Sequence, residues 1–76
     1  MRAYVLINVS PGKAREVVTA AARLRGVRRA TACWGLPDIF VEVETPSEKA
    51  LEDLVIGQIQ NLVEGVERTE THLVAE

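Results

Sequence analysis

Cysteine, histidine, tryptophan, tyrosine and phenylalanine occur once each in this 76-residue chain. A single cysteine excludes an internal disulfide and a cysteine-based zinc site, and one histidine beside it leaves no ligand set for a metal. With three aromatics, the core has to be aliphatic, built from Val, Leu, Ile and Ala. An excess of basic charge is missing too. Nine Lys and Arg stand against eleven Asp and Glu, for a formal net charge of −2, which argues against nucleic-acid binding by bulk electrostatics. No apolar run approaches the roughly 20 residues that a membrane helix needs. Met1-Arg2-Ala3-Tyr4 leads straight into a strand with no signal peptide ahead of it, so the expectation is a soluble protein of a reduced compartment, the cytoplasm. Length allows one domain, residues 1–76, and a domain this small is marginal unless something else covers its apolar surface.

What the chain does contain is hydrophobic periodicity. Residues 3–9 read as a strand apolar on both sides, with Ala3, Val5, Ile7 and Val9 on one face and Tyr4 and Leu6 on the other. Ser10-Pro11-Gly12-Lys13 reads as a helix start, Ser10 capping and Pro11 in the first helical position. Ala14, Val17, Val18, Ala21 and Leu24 follow at helical spacing until Gly26. A second strand is predicted from Val27 to Trp34 and a third from Ile39 to Glu44, joined by the turn residues Gly35 to Asp38 as a hairpin. Thr45 or Ser47 can cap a second helix whose stripe is Leu51, Leu54, Val55, Ile59 and Leu62, with Gly57 inside it to allow close packing. A fourth strand runs from Val66 to Val74.

A weak internal repeat supports the same plan. Leu24-Arg25-Gly26-Val27 and Val63-Glu64-Gly65-Val66 share their punctuation, with glycines 39 positions apart. The order βαββαβ folds most simply as a ferredoxin-like α+β sandwich: four antiparallel strands, the first and third central, and two helices on one face. Two helices cannot cover both faces of a sheet. The uncovered face, with Tyr4, Leu6 and Trp34 as candidates, predicts a partner subunit, so a dimer is the minimum assembly.

Catalytic chemistry is hard to find. Cys33 and His72 both fall in predicted strands, where a lone cysteine is usually a small buried hydrophobe. Glu42 and Glu44 share a strand face and read as a polar rim or as salt-bridge partners of another subunit. Pro11-Gly12-Lys13 lacks the spacing of a phosphate loop, and no cofactor motif is present. The basic run Arg23 to Arg29 reads as a solvated helix end and edge strand. Recognition remains. Gly35, Leu36, Pro37 and Asp38 offer bare backbone and one carboxylate, and Thr69 and Thr71 place two hydroxyls on one face of the last strand. A carboxylate for an ammonium, with hydroxyls and N–H groups for a carboxylate, suits a zwitterion such as a free amino acid.

Taken together, residues 3–9, Pro11-Gly12-Lys13, Leu24-Arg25-Gly26-Val27, the Gly35 to Asp38 loop and Gly65-Val66 with Thr69-Glu70-Thr71 resemble the effector domain of the Lrp/AsnC, or feast/famine, regulators, also called the RAM domain. The resemblance covers essentially the whole chain. It implies the βαββαβ fold, pairing through the open sheet face, and assembly of dimers into rings, commonly octamers or decamers. It also implies an amino-acid effector bound between neighbouring dimers, with Gly35 as a backbone contact, Leu36 and Pro37 among the effector-binding residues of the loop, Asp38 holding an ammonium or the loop itself, and Thr69 and Thr71 as polar contacts. Such regulators carry an amino-terminal helix-turn-helix domain. This sequence starts at the first strand of the effector domain, so the expectation is a stand-alone form that binds no DNA directly and co-assembles with full-length regulators. The position before the acid, usually aromatic, is Pro37 here, while Trp34 precedes the glycine. Two other readings compete: a structural assembly subunit with a vestigial pocket, and a small dimeric α+β-barrel enzyme. The enzyme would need a polar or histidine-lined cavity between helices and sheet, and the stripes facing that space are plain aliphatic.

Overall fold

The computed structural model describes residues 1–62 and 64–75. Four strands, β1 (Arg2–Val9), β2 (Val27–Ala32), β3 (Ile39–Glu44) and β4 (Val66–Leu73), form one antiparallel sheet in the order β2-β3-β1-β4. Helix α1 (Ala14–Ala22) connects β1 to β2, and helix α2 (Glu48–Glu52) runs into a π-helical stretch (Asp53–Ile59) before β4. This is the expected α+β sandwich, with β1 and β3 central.

Alternation along the central strands fixes the two faces. Ala3, Val5 and Ile7 pair with Val43, Val41 and Ile39, and all six are buried beneath the helices. Val17 and Ala21 of α1, with Leu51, Leu54, Val55 and Ile59 of the second helical segment, complete the core. The opposite face carries Tyr4, Leu6 and Phe40 among charged residues, and Tyr4 and Phe40 are 39% and 41% exposed.

Several boundaries differ from the sequence reading. The first helix begins at Ala14 rather than Pro11, because the Lys13 N–H donates to Ser10 O (3.1 Å) and Gly12 takes φ +82°. A separate turn therefore precedes the helix, and only glycine adopts that φ without strain. Ser10 does not cap; its hydroxyl donates to Glu67 Oε2 (3.2 Å). The helix stops at Ala22 because the Arg23 and Leu24 N–H groups tighten onto Ala20 O and Ala21 O. Of the two possible caps for the second helix the chain uses Ser47, whose Oγ accepts from the Ala50 N–H (3.1 Å). Thr45, buried, instead donates to Ser47 O (2.9 Å).

Gly57 permits no close packing: a side chain added there would meet nothing within 4 Å. It lies in the π-helical stretch, whose wider winding shows in the Gln60 N–H donating to Val55 O (3.0 Å), five residues back. The two glycines of the repeat do lie close to other elements. A methyl group added at Gly26 would sit 3.3 Å from Leu54 Cδ2, and one at Gly65 would sit 2.9 Å from Lys13 Cγ. Val63, part of the repeat, lies outside the described residues.

Strand β2 ends at Ala32, short of Trp34. Its register against β3 shifts between Val27, opposite Val43, and Arg29, opposite Glu42. The extra residue, Arg28, forms a bulge. Both arginines thereby reach acids of β3: Arg28 pairs with Glu44, and Arg29 Nε lies 3.7 Å from Glu42 Oε2. The salt bridges foreseen with another subunit are made within the chain.

Candidate ligand site at the hairpin loop

The loop between β2 and β3 is pinned at its base and free at its tip. The Cys33 N–H donates to Asp38 O (2.7 Å), closing the loop on itself. The Asp38 N–H donates to Ile7 O (3.0 Å), and the Val9 N–H donates to Asp38 Oδ2 (2.8 Å), so one residue ties the loop to the central strand twice. Asp38 thus serves both as backbone rung and as side-chain acceptor. Trp34 and Leu36 project from the tip, 103% and 83% exposed. Between them Gly35 takes φ +107°, a value that a side chain would strain. The Leu36–Pro37 peptide bond is cis.

Trp34 therefore belongs to neither face of the sheet, in contrast to its place among the open-face candidates. Cys33 likewise lies outside β2 and is exposed. It lacks the neighbours that bury a strand cysteine, because β2 has already ended.

Thr69 and Thr71 stand on β4, opposite Ile7 and Val5, and so on the helix-covered face of the sheet. The Thr69 hydroxyl accepts from Gln60 Nε2 (3.1 Å). Gln60, Val66, Glu67, Arg68 and Thr69 line a shallow cavity of about 300 Å³. Gln60 was not among the residues foreseen. It follows the last tightly buried stripe position, Ile59, and only the return of β4 brings it to Thr69. Thr71 lines a second groove of about 310 Å³ with Leu51, Val55, Ile56 and Leu73, rimmed by Glu48 and Glu52.

The structure brings Gly35, Leu36, Pro37 and Asp38 together, and Thr69 and Thr71 together, but keeps the two groups apart. Asp38 bonds β1 from the β3 side and Thr69 pairs with it from the β4 side. Two strand spacings separate them, about 10 Å.

Cys33 and His72, the two candidates for a nucleophile–base pair, are not brought together. Cys33 adjoins one edge strand, and His72 stands on the other, with Nε2 2.9 Å from Glu70 Oε2. Among the described residues no group of three or more His, Cys, Asp or Glu is placed to hold a metal ion, and no helix is long and apolar enough to cross a membrane.

Residues 2–76 match the Lrp/AsnC ligand binding domain. The chain belongs to that family. An uncharacterized HTH-type transcriptional regulator of Pyrococcus furiosus, PF1231, is 32% identical over 72 residues, which are 95% of this chain and 48% of the relative. The chain thus spans about half the length of that regulator. Among solved structures, TTHA0845 from Thermus thermophilus superposes with a TM-score of 0.92 at 32% identity, covering 99% of this chain and 92% of that one. AsnC from E. coli follows the same path with a TM-score of 0.88 at 26% identity, over 99% of this chain and 50% of its own. The family match, the PF1231 relative and the backbone shared with AsnC relate this domain to regulators of transcription.

Proposed function

We propose that this Lrp/AsnC domain is a non-enzymatic, oligomeric module that binds an amino-acid effector and modulates transcription by co-assembling with full-length regulators. The observation that carries the reading is a ligand-binding family match over residues 2–76, on a chain whose second sheet face no helix covers. Tyr4, Leu6 and Phe40 form the apolar centre of that face, and a second copy covers it to give a dimer. Dimers then join into a ring of eight or ten chains.

The effector site is composite. The loop Gly35–Leu36–Pro37–Asp38 of one copy supplies backbone groups and a carboxylate, and Thr69 and Thr71 of a neighbour supply hydroxyls. The separation of the two groups within one chain supports this division, as does the exposed tip of Trp34 and Leu36. Asp38 keeps Oδ1 for an ammonium while Oδ2 accepts from Val9.

The test is native mass by light scattering together with melting temperature, measured with each of the twenty amino acids. An assembly at least dimeric, whose melting temperature rises with one or a few of them, is the expected result. A strict monomer sinks the proposal. An assembly indifferent to all twenty leaves the structural subunit as the better reading.

A further inference from the structure

Charge is divided between the two flanks of the domain. Residues 10–34 hold six Lys and Arg and one acid, whereas residues 45–75 hold six acids and two Lys and Arg. The fold turns this division in sequence into a division in space. Helix α1 packs on β2, at one edge of the sheet, while Thr71 and Leu73 of β4, at the other edge, line a groove with α2 and its π-helical continuation.

Among the described residues, the exposed charges without a salt bridge are arginines on the first flank and mostly glutamates on the second, where Arg68 of β4 is the exception. Arg15, Arg23 and Arg25 are exposed on the first flank, and Glu48, Glu52 and Glu64 are exposed on the second; among the described residues none of the six forms a salt bridge. Each flank also has a matching shape. On α1, Thr19 and Ala20 lie between Arg15 and Arg23 on an open surface that Glu16, paired with Lys13 at 3.5 Å, also borders. On the opposite flank, Ile56 and Leu73 are each 56% exposed in the groove that Glu48 and Glu52 border.

We infer that the α1 surface of one copy docks on the α2–β4 groove of the next, arginines against glutamates and Ile56 and Leu73 against the small residues. Such a contact joins two different surfaces, so it propagates from copy to copy and closes into a ring where the rotation allows. It rests on the assembly proposed above and names the surfaces that build it. It also places the flank bearing the hairpin loop beside the flank bearing Thr69 and Thr71, which one chain alone keeps apart. Because the paired charges begin on the surface, the assembly depends on ionic strength.

Light scattering at low salt and at about 1 M salt, where charges are screened beyond roughly 3 Å, tests the contact without any amino acid present. The expected result is a species larger than the dimer at low salt that falls to the dimer at high salt. Two charge-reversed forms carry the decisive test: R15E/R23E reverses the unpaired charges on the α1 surface, and E48K/E52K reverses those that border the groove. Each alone is expected to stay at the dimer, and an equimolar mixture to recover the larger species. Circular dichroism checks that each is folded, and E48Q/E52Q, which only neutralises the groove, is expected to weaken assembly less than reversal. A parent no larger than a dimer at any salt, an assembly unmoved by salt, or a mixture that behaves like its separate components overturns the inference. A salt-dependent ring that ignores all twenty amino acids upholds this contact and removes only the effector reading.

Discussion

The two faces of the sheet share the same strands and differ in almost everything else. On the covered face, Val5, Ile7, Ile39 and Val41 are fully buried within the aliphatic cluster. On the open face, Tyr4, Leu6 and Phe40 are partly exposed and sit among Arg29, Glu42, Glu70 and His72. The covered face holds the chain in its fold. The open face has an apolar centre and a polar margin, the anatomy that the proposed dimer interface requires.

Substitutions separate the two roles. The largest effect on folding is expected from Ile7→Ala on the covered face, about 3 kcal/mol from lost burial and the cavity left behind. Urea unfolding reads it as a lowered midpoint at unchanged slope. Phe40→Asp on the open face is expected to leave the circular dichroism of the folded chain intact and to convert the dimer to monomer in light scattering. A stable Phe40→Asp dimer would show that the open face is not where two copies meet. Asp38→Ala, at the end of β1 where both faces meet the loop, removes the acceptor of the Val9 N–H. A cost of about 1–3 kcal/mol is expected, with faster amide exchange at Val9, loss of effector binding and a dimer that persists. The smallest change is expected from Glu42→Gln, which breaks the exposed contact with Arg29 at 3.7 Å. Its effect on stability should stay below about 1 kcal/mol.

The contrast between faces was legible in the sequence because strand alternation needs no knowledge of tertiary structure. Ala3, Val5 and Ile7, and again Ile39, Val41 and Val43, announce a covered face by period alone. The helical stripes were legible for the same reason. What was hidden depends on backbone choices between near-equal options. Ser10-Pro11-Gly12-Lys13 can start a helix or form a turn, and the hydrogen bond from Lys13 to Ser10 decides for the turn. Leu54, Val55 and Ile59 suit an α-helix as well as a π-helix over so short a span, and the wider winding, seen in the bond from Gln60 to Val55, separates them. In the candidate site the loop could be read from Gly35, Pro37 and Asp38. Its separation from Thr69 and Thr71 could not, because that follows from which strand lies between them in the sheet.

Gly26 and Gly65 give the internal repeat a consequence for folding. The glycine that closes the first half presses toward Leu54 of the second, and the glycine that closes the second presses toward Lys13 of the first. The clasp is reciprocal: each half supplies a glycine against which a side chain of the other half packs. Ser10, after β1, also donates its N–H to Gly65 O (2.8 Å), locking the two connections at one end. The halves are alike in pattern yet each packs against the other, so the domain is expected to unfold in one cooperative step.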